Sequence, residues 1–68
     1  MTVYRFATKQ DKTYGVEITL PATIEDGSPS EQHQLSRCKS SAARLGLNIS
    51  ELTYSKNGAV KHNPFAND

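Results

Sequence analysis

Two short alternating segments, VYRFATK at residues 3–9 and TYGVEITL at residues 13–20, are separated only by the polar tripeptide QDK. Period-two alternation at that spacing predicts an antiparallel hairpin, and the side chains also choose its register. With Lys9 opposite Thr13, Phe6 faces Val16 and Tyr4 faces Ile18, so the apolar side chains collect on one face. Arg5 then stands opposite Glu17 on the other face, a favourable charge pair. Sliding the pairing by one residue would set Arg5 against Ile18 instead. A chain that opens with a hairpin of this kind must cover the apolar face with something later in the sequence.

The cover is predicted to be a helix. Pro21 ends the second strand, and the stretch PATIEDGSPS reads as a loop rich in turn formers. Ser28 is a good N-cap, Pro29 suits the first helical position, and Glu31 follows three residues after Ser28 as in a capping box. The helix runs to about Leu45, with Gly46 as a left-handed residue just past its end. Leu35, Cys38, Ala42 and Leu45 fall on one stripe, and His33, Ser36, Arg37, Ser40 and Arg44 lie opposite.

The following stretch admits two readings. Ala42, Gly46, Leu47 and Leu52, with Leu45, resemble the helix-turn-helix pattern of phage and bacterial repressors over residues 38–57, which implies a recognition helix and DNA binding. Ser55 and Ile49 depart from that pattern, since one falls on a normally apolar slot and the other on the DNA-facing side. Ile49, Thr53 and Tyr54 also make poor helix, and Asn57-Gly58 is a hairpin turn signal. The hairpin reading accounts for more residues. A three-residue loop Lys56-Asn57-Gly58 would pair Ser55 with Ala59 and Tyr54 with Val60 and would keep Val60 on the core side. The fold expected is therefore α+β, a small two-layer ββαββ sandwich with an antiparallel sheet of two hairpins on one amphipathic helix. Its core face would carry Tyr4, Phe6, Tyr14, Val16, Ile18, Leu20, Leu52, Tyr54 and Val60. Its open face would carry Val3, Arg5, Ala7, Lys9, Glu17, Thr19, Thr53 and Lys61.

Sixty-eight residues give a single small domain, residues 1–68, with residues 62–68 expected to fray. Only 35% of the chain is hydrophobic and there is no Trp, so the core is thin and a homodimer is a candidate source of added stability. Eight Lys and Arg against seven Asp and Glu leave a net charge of +1, which supplies no global attraction for nucleic acid or an anionic membrane. No apolar run approaches the roughly 18 residues of a membrane span. The one cysteine, Cys38, cannot close an internal disulfide, which points to the reducing cytoplasm.

The residues offer no catalytic set, no metal site and no cofactor site. Cys38, His33 and His62 have no metal-ligand spacing, and His33 and Cys38 point about 140° apart on a helix. No histidine is placed to activate Cys38 or a serine. Gly15, Gly27, Gly46 and Gly58 are isolated, so no phosphate loop exists, and a chain this short has little room for a substrate cavity. The expectation is a non-enzymatic module that binds another protein. Such compact domains are similar in size and style to phage and mobile-element products that inhibit or modulate host machinery. The candidate binding residues are His33, Arg37, Lys39, Ser40 and Arg44 on the helix, and Arg5, Lys9 and Lys61 on the sheet. The alternative is a small DNA-binding protein acting through the basic helix face or the helix-turn-helix. The layout of a hairpin followed by a helix is broadly similar to the arm-binding domains of phage integrases, which would make Arg5 and Lys9 the base readers.

Overall fold

The computed structural model describes residues 1–66. Its strands are β1 (Thr2–Ala7), β2 (Gly15–Leu20), β3 (Thr53–Lys56) and β4 (Ala59–Lys61), and helix α1 spans Pro29–Arg44. The chain order is the expected ββαββ. All pairings are antiparallel, in the spatial order β2-β1-β3-β4. The first strand of the chain is thus an inner strand, flanked by β2 and β3.

The first hairpin takes the register that alternation and charge select, with Phe6 opposite Val16, Tyr4 opposite Ile18 and Arg5 opposite Glu17. The charge pair itself does not close. The Arg5 guanidinium instead donates to the Lys12 carbonyl and ties the connecting loop to the sheet.

Helix α1 begins as its cap residues require. The Ser28 hydroxyl accepts from the Glu31 N–H at 3.2 Å, and Pro29 fills the first turn. Glu31 does not complete a reciprocal box, because its carboxylate accepts from Gly27 N–H at 3.1 Å while Ser28 N–H goes to Glu25 O. At the other end Leu47 N–H reaches Ala42 O at 2.9 Å, Gly46 N–H reaches Ala43 O, and Gly46 has φ 74°. This is a Schellman cap. It explains why Ala42, Gly46 and Leu47 match a helix-turn-helix pattern, since both motifs end a helix on a left-handed glycine followed by an apolar residue. No second helix of that motif forms. Asn48 caps a single 3-10 turn, Ile49–Glu51, and the chain then enters β3.

The second hairpin corrects the expected register. Lys56 pairs with Ala59, Ser55 with Val60 and Tyr54 with Lys61, around a two-residue turn in which Asn57 and Gly58 both have positive φ, 53° and 83°. That is the turn whose twist suits adjoining strands. The turn is also fixed laterally: Asn57 N–H donates to Val3 O and Asn57 Oδ1 accepts from Val3 N–H, both at 2.8 Å. The tight turn sends Val60 to the outer face, 75% exposed, and turns Lys56 inward, 5% exposed.

The core comprises Tyr4, Phe6, Val16, Leu35, Cys38, Ala42, Ile49, Leu52 and Tyr54, with Phe6 stacked on Tyr54 at 4.7 Å between centroids. Ile18, Leu20, Leu47 and Phe65 pack around it. Tyr14 and Leu45 do not join it. Tyr14 precedes β2, Leu45 is the C-cap residue of α1, and both are about half exposed.

Of the tail expected to fray, residues 62–68, part is held against the fold, and residues 67 and 68 lie outside the described residues. Asn63 is buried. Its amide donates to both Ile49 O and Leu52 O at 2.8 Å, and its Oδ1 accepts from Phe65 N–H, which carries the Phe65 ring to 6.1 Å from that of Phe6. An Asn63→Ala variant leaves two carbonyls without their donor and should lose about 2 kcal/mol in urea denaturation. A loss under about 0.5 kcal/mol would show that the tail adds nothing to the fold.

Candidate docking surfaces

The helix covers one face of the sheet only. On the uncovered face Glu17, Arg5, Ser55 and Val60 form one cross-strand row, and Ala7 and Thr53 stand side by side in another. At the end nearest the β1–β2 loop this face holds a groove of about 260 Å³. Ala7, Thr53, Ser55 and Val60 make its surface, and Arg5, Lys9 and Lys12 line it as well. The Lys9 and Lys12 ammonium groups make no hydrogen bond or ion pair among the described residues, and the Arg5 guanidinium makes only its bond to Lys12 O. Among the described residues no acid lines the groove. Of the nearby acids, Asp11 is turned onto Thr13, accepting from its N–H at 2.9 Å and its hydroxyl at 2.6 Å. Those bonds hold its carboxyl below the ordinary value.

The sheet-face candidates therefore separate. Arg5 and Lys9 meet at this groove, whereas Lys61 faces the helix side, where its ammonium donates to Asp26 at 2.8 Å. The cause is the one-residue shift of the second hairpin, which exchanges the faces of Val60 and Lys61. Lys12 and Val60 are the site residues the sequence reading missed.

On the helix side the charges are spent on one another. The buried Lys56 ammonium donates to Ile24 O, Asp26 Oδ1 and Glu31 Oε2, and it lies over the Tyr4 ring at 5.5 Å. The Tyr4 hydroxyl donates to the same Glu31 oxygen at 3.1 Å. Hydrogen bonds from Lys56 and then Lys61 hold Asp26 down to about 2. For Glu31 burial works in the opposite direction, but Lys56, the Gly27 N–H and the Tyr4 hydroxyl outweigh it and hold the carboxyl below its ordinary value. Every buried polar side-chain atom among the described residues has a partner, so this cluster is structural: it pins the loop before α1 to β3 and β4.

His33, Arg37, Ser40 and Arg44 do share the exposed side of α1, around a shallow polar depression. One Arg37 N–H is committed to Gln34 at 2.8 Å. Lys39 is placed elsewhere, 5.3 Å over the Phe65 ring. A hollow of about 590 Å³ at the end of the sheet brings Lys9 beside Glu51 and so has no preferred charge of ligand. Cys38 is fully buried, and burial pushes its thiol up to about 11. Among the described residues no three His, Cys, Asp or Glu side chains group as metal ligands, and no helix is long and apolar enough to cross a membrane.

No known protein family, curated protein or solved structure matches this chain.

Proposed function

We propose that the protein is a non-enzymatic binding module of the cytoplasm that docks on another protein through the outer face of its sheet. The observation that carries this reading is the uncovered face itself, with exposed Val60 next to three cations whose side chains have no acidic partner among the described residues. Antiparallel sheets tolerate water on one face, but that face is then usually polar. Here Ala7, Thr53 and Val60 put apolar surface at the centre of a basic rim, the arrangement of an interface core inside its polar border. Inhibition of host machinery is one form that such docking takes.

The DNA-binding alternative keeps the helix face and the sheet residues Arg5 and Lys9, since the helix-turn-helix does not form. Two arginines on the helix face give little electrostatic drive, and the groove beside Arg5 and Lys9 has no aromatic side chain among the described residues.

Two photo-crosslinking variants, at Val60 and at Ser36 on the exposed side of α1, test the reading in cells that produce the protein. A discrete adduct from Val60 that is absent from Ser36 is expected. A Val60 adduct of twice the 7.5 kDa chain mass would make the partner a second copy. Equal adducts from both positions, or none from Val60, would overturn the proposal. In parallel, generic duplex DNA should not bind at low salt. Binding that falls steeply as salt rises, and that is lost on Arg37→Ala with Arg44→Ala, would favour the alternative.

A further inference from the structure

The groove on the outer face also restricts the partner's chemistry, provided that docking occurs on this face as proposed. We propose that it receives a short acidic segment of the partner protein. One aliphatic side chain of that segment lies against Ala7 and Val60, and flanking carboxylates meet Lys9, Lys12 and the unused N–H groups of Arg5.

Charge is the first reason. The cations on the helix side of the sheet, Lys56 and Lys61, are neutralised by Asp26 and Glu31. The cations on the outer side are not. The Lys9 and Lys12 ammonium groups have no partner among the described residues. Asp11 keeps its charge, because its bonds go to the neutral Thr13, and Glu17 stands opposite Arg5 on β2 without pairing to it. Neither acid lines the groove, so the excess is that of the groove lining itself. The protein as a whole is close to neutral, so this local excess comes from how the fold distributes its charges. A ligand that brings carboxylates to this rim meets complementary potential and displaces no existing ion pair.

Size and surface chemistry are the second reason. A volume of about 260 Å³ accommodates one or two side chains rather than a helix or a sugar–phosphate backbone. The surface under the rim includes Ala7 and Val60 beside the hydroxyl residues Thr53 and Ser55, and its apolar part rewards an aliphatic group that a sugar–phosphate chain does not carry. No aromatic side chain lines the groove, so bases have no platform on which to stack. These features favour a carboxylate-bearing peptide over nucleic acid.

The test is nitrogen-15 chemical-shift mapping of the full chain with two synthetic pentapeptides. One has a leucine between two pairs of glutamates, and the other replaces those glutamates with lysines. The acidic peptide should shift Ala7, Thr53 and Val60 selectively, and the lysine peptide should not. Reversing both loop charges, Lys9→Glu with Lys12→Glu, should weaken binding about tenfold or more. The neutral pair Lys9→Gln with Lys12→Gln should fall in between. All four substitutions are at exposed side chains, and an unchanged spectrum in the rest of the protein verifies the fold. Equal shifts from both peptides, shifts centred on α1, or no shifts at millimolar peptide would overturn the proposal. Groove shifts caused more strongly by duplex DNA than by the acidic peptide would transfer the site to nucleic acid and overturn it too. If Val60 crosslinks a partner while the acidic peptide leaves the groove unperturbed, docking stands and the acidic ligand falls.

Discussion

A Lys56→Met variant is expected to lose about 3–5 kcal/mol in urea denaturation, most of the stability of a domain this small. The methionine fills the space of the lysine stem, but Glu31, itself 9% exposed, then keeps its charge in the protein interior without a cation. The variant that removes both charges, Lys56→Met with Glu31→Gln, should recover much of the loss, because the amide oxygen of Gln can still accept from the Gly27 N–H while its NH2 group donates to the Tyr4 hydroxyl. A double variant no more stable than the single one would mean that the lysine acts by packing alone.

The same cluster sets the response to pH. Asp26 and Glu31 are held below their ordinary values in the fold. Their contribution is therefore complete above about pH 5, and it is lost as pH falls below the unfolded carboxylate values near 4, for Asp26 toward about 2. Lys56 is raised even though burial opposes it, because Asp26 and Glu31 bond its ammonium. Its contribution is complete below its unfolded value of about 10.4 and declines above that. Stability should be flat between these limits and fall in acid, and Lys56→Met should flatten the acid slope.

Gly15→Ala should be comparably damaging for a steric reason. A Cβ at Gly15 would collide with Phe6 O and stand 2.7 Å from the Ala7 Cα, and both are backbone atoms. β1 cannot retreat, because Phe6 is paired with Val16 on one side and Tyr54 on the other. The hairpin must open at its Ala7–Gly15 end, at a cost beyond the usual 1–3 kcal/mol of overpacking, roughly 3 kcal/mol or more. Thermal denaturation measures it. A near-wild-type transition would mean that the hairpin end yields easily. The opening would also displace the loop that positions Lys9 and Lys12.

The first hairpin and the helix were legible because their signals are local. Alternation and one charge pair choose the register of β1 and β2, and Ser28, Pro29 and Gly46 bound α1. The second hairpin was not legible, because its register depends on Lys56. A lysine beside Asn-Gly reads as a solvated turn residue. It is buried only because Glu31 and Asp26, 25 and 30 residues earlier, converge on it in three dimensions. That one residue of register carries Val60 outward and Lys61 inward, so the groove was half visible: Arg5 and Lys9 follow from alternation in the first hairpin, while Val60 needs the correct second one. Lys12 sits in a turn, where no periodicity assigns it a face. The docking of Asn63 depends on carbonyls left free by the 3-10 turn, which no pattern around Asn63 announces.

The inner position of β1 bears on the order in which the chain assembles. Its pairing with β2 spans a short loop, but its pairing with β3 joins Ala7 to Thr53 across the whole helix, and closing so long a segment slows folding. Until β3 arrives, a hairpin formed early leaves the inner edge of β1 unpaired, with Tyr4 and Phe6 uncovered beside it. That transient edge is a template for mispairing with other chains. Asn57 completes its closure, because the two bonds to Val3 can form only once β3 has docked. The time between the first hairpin and that contact is when the protein is most open to aggregation.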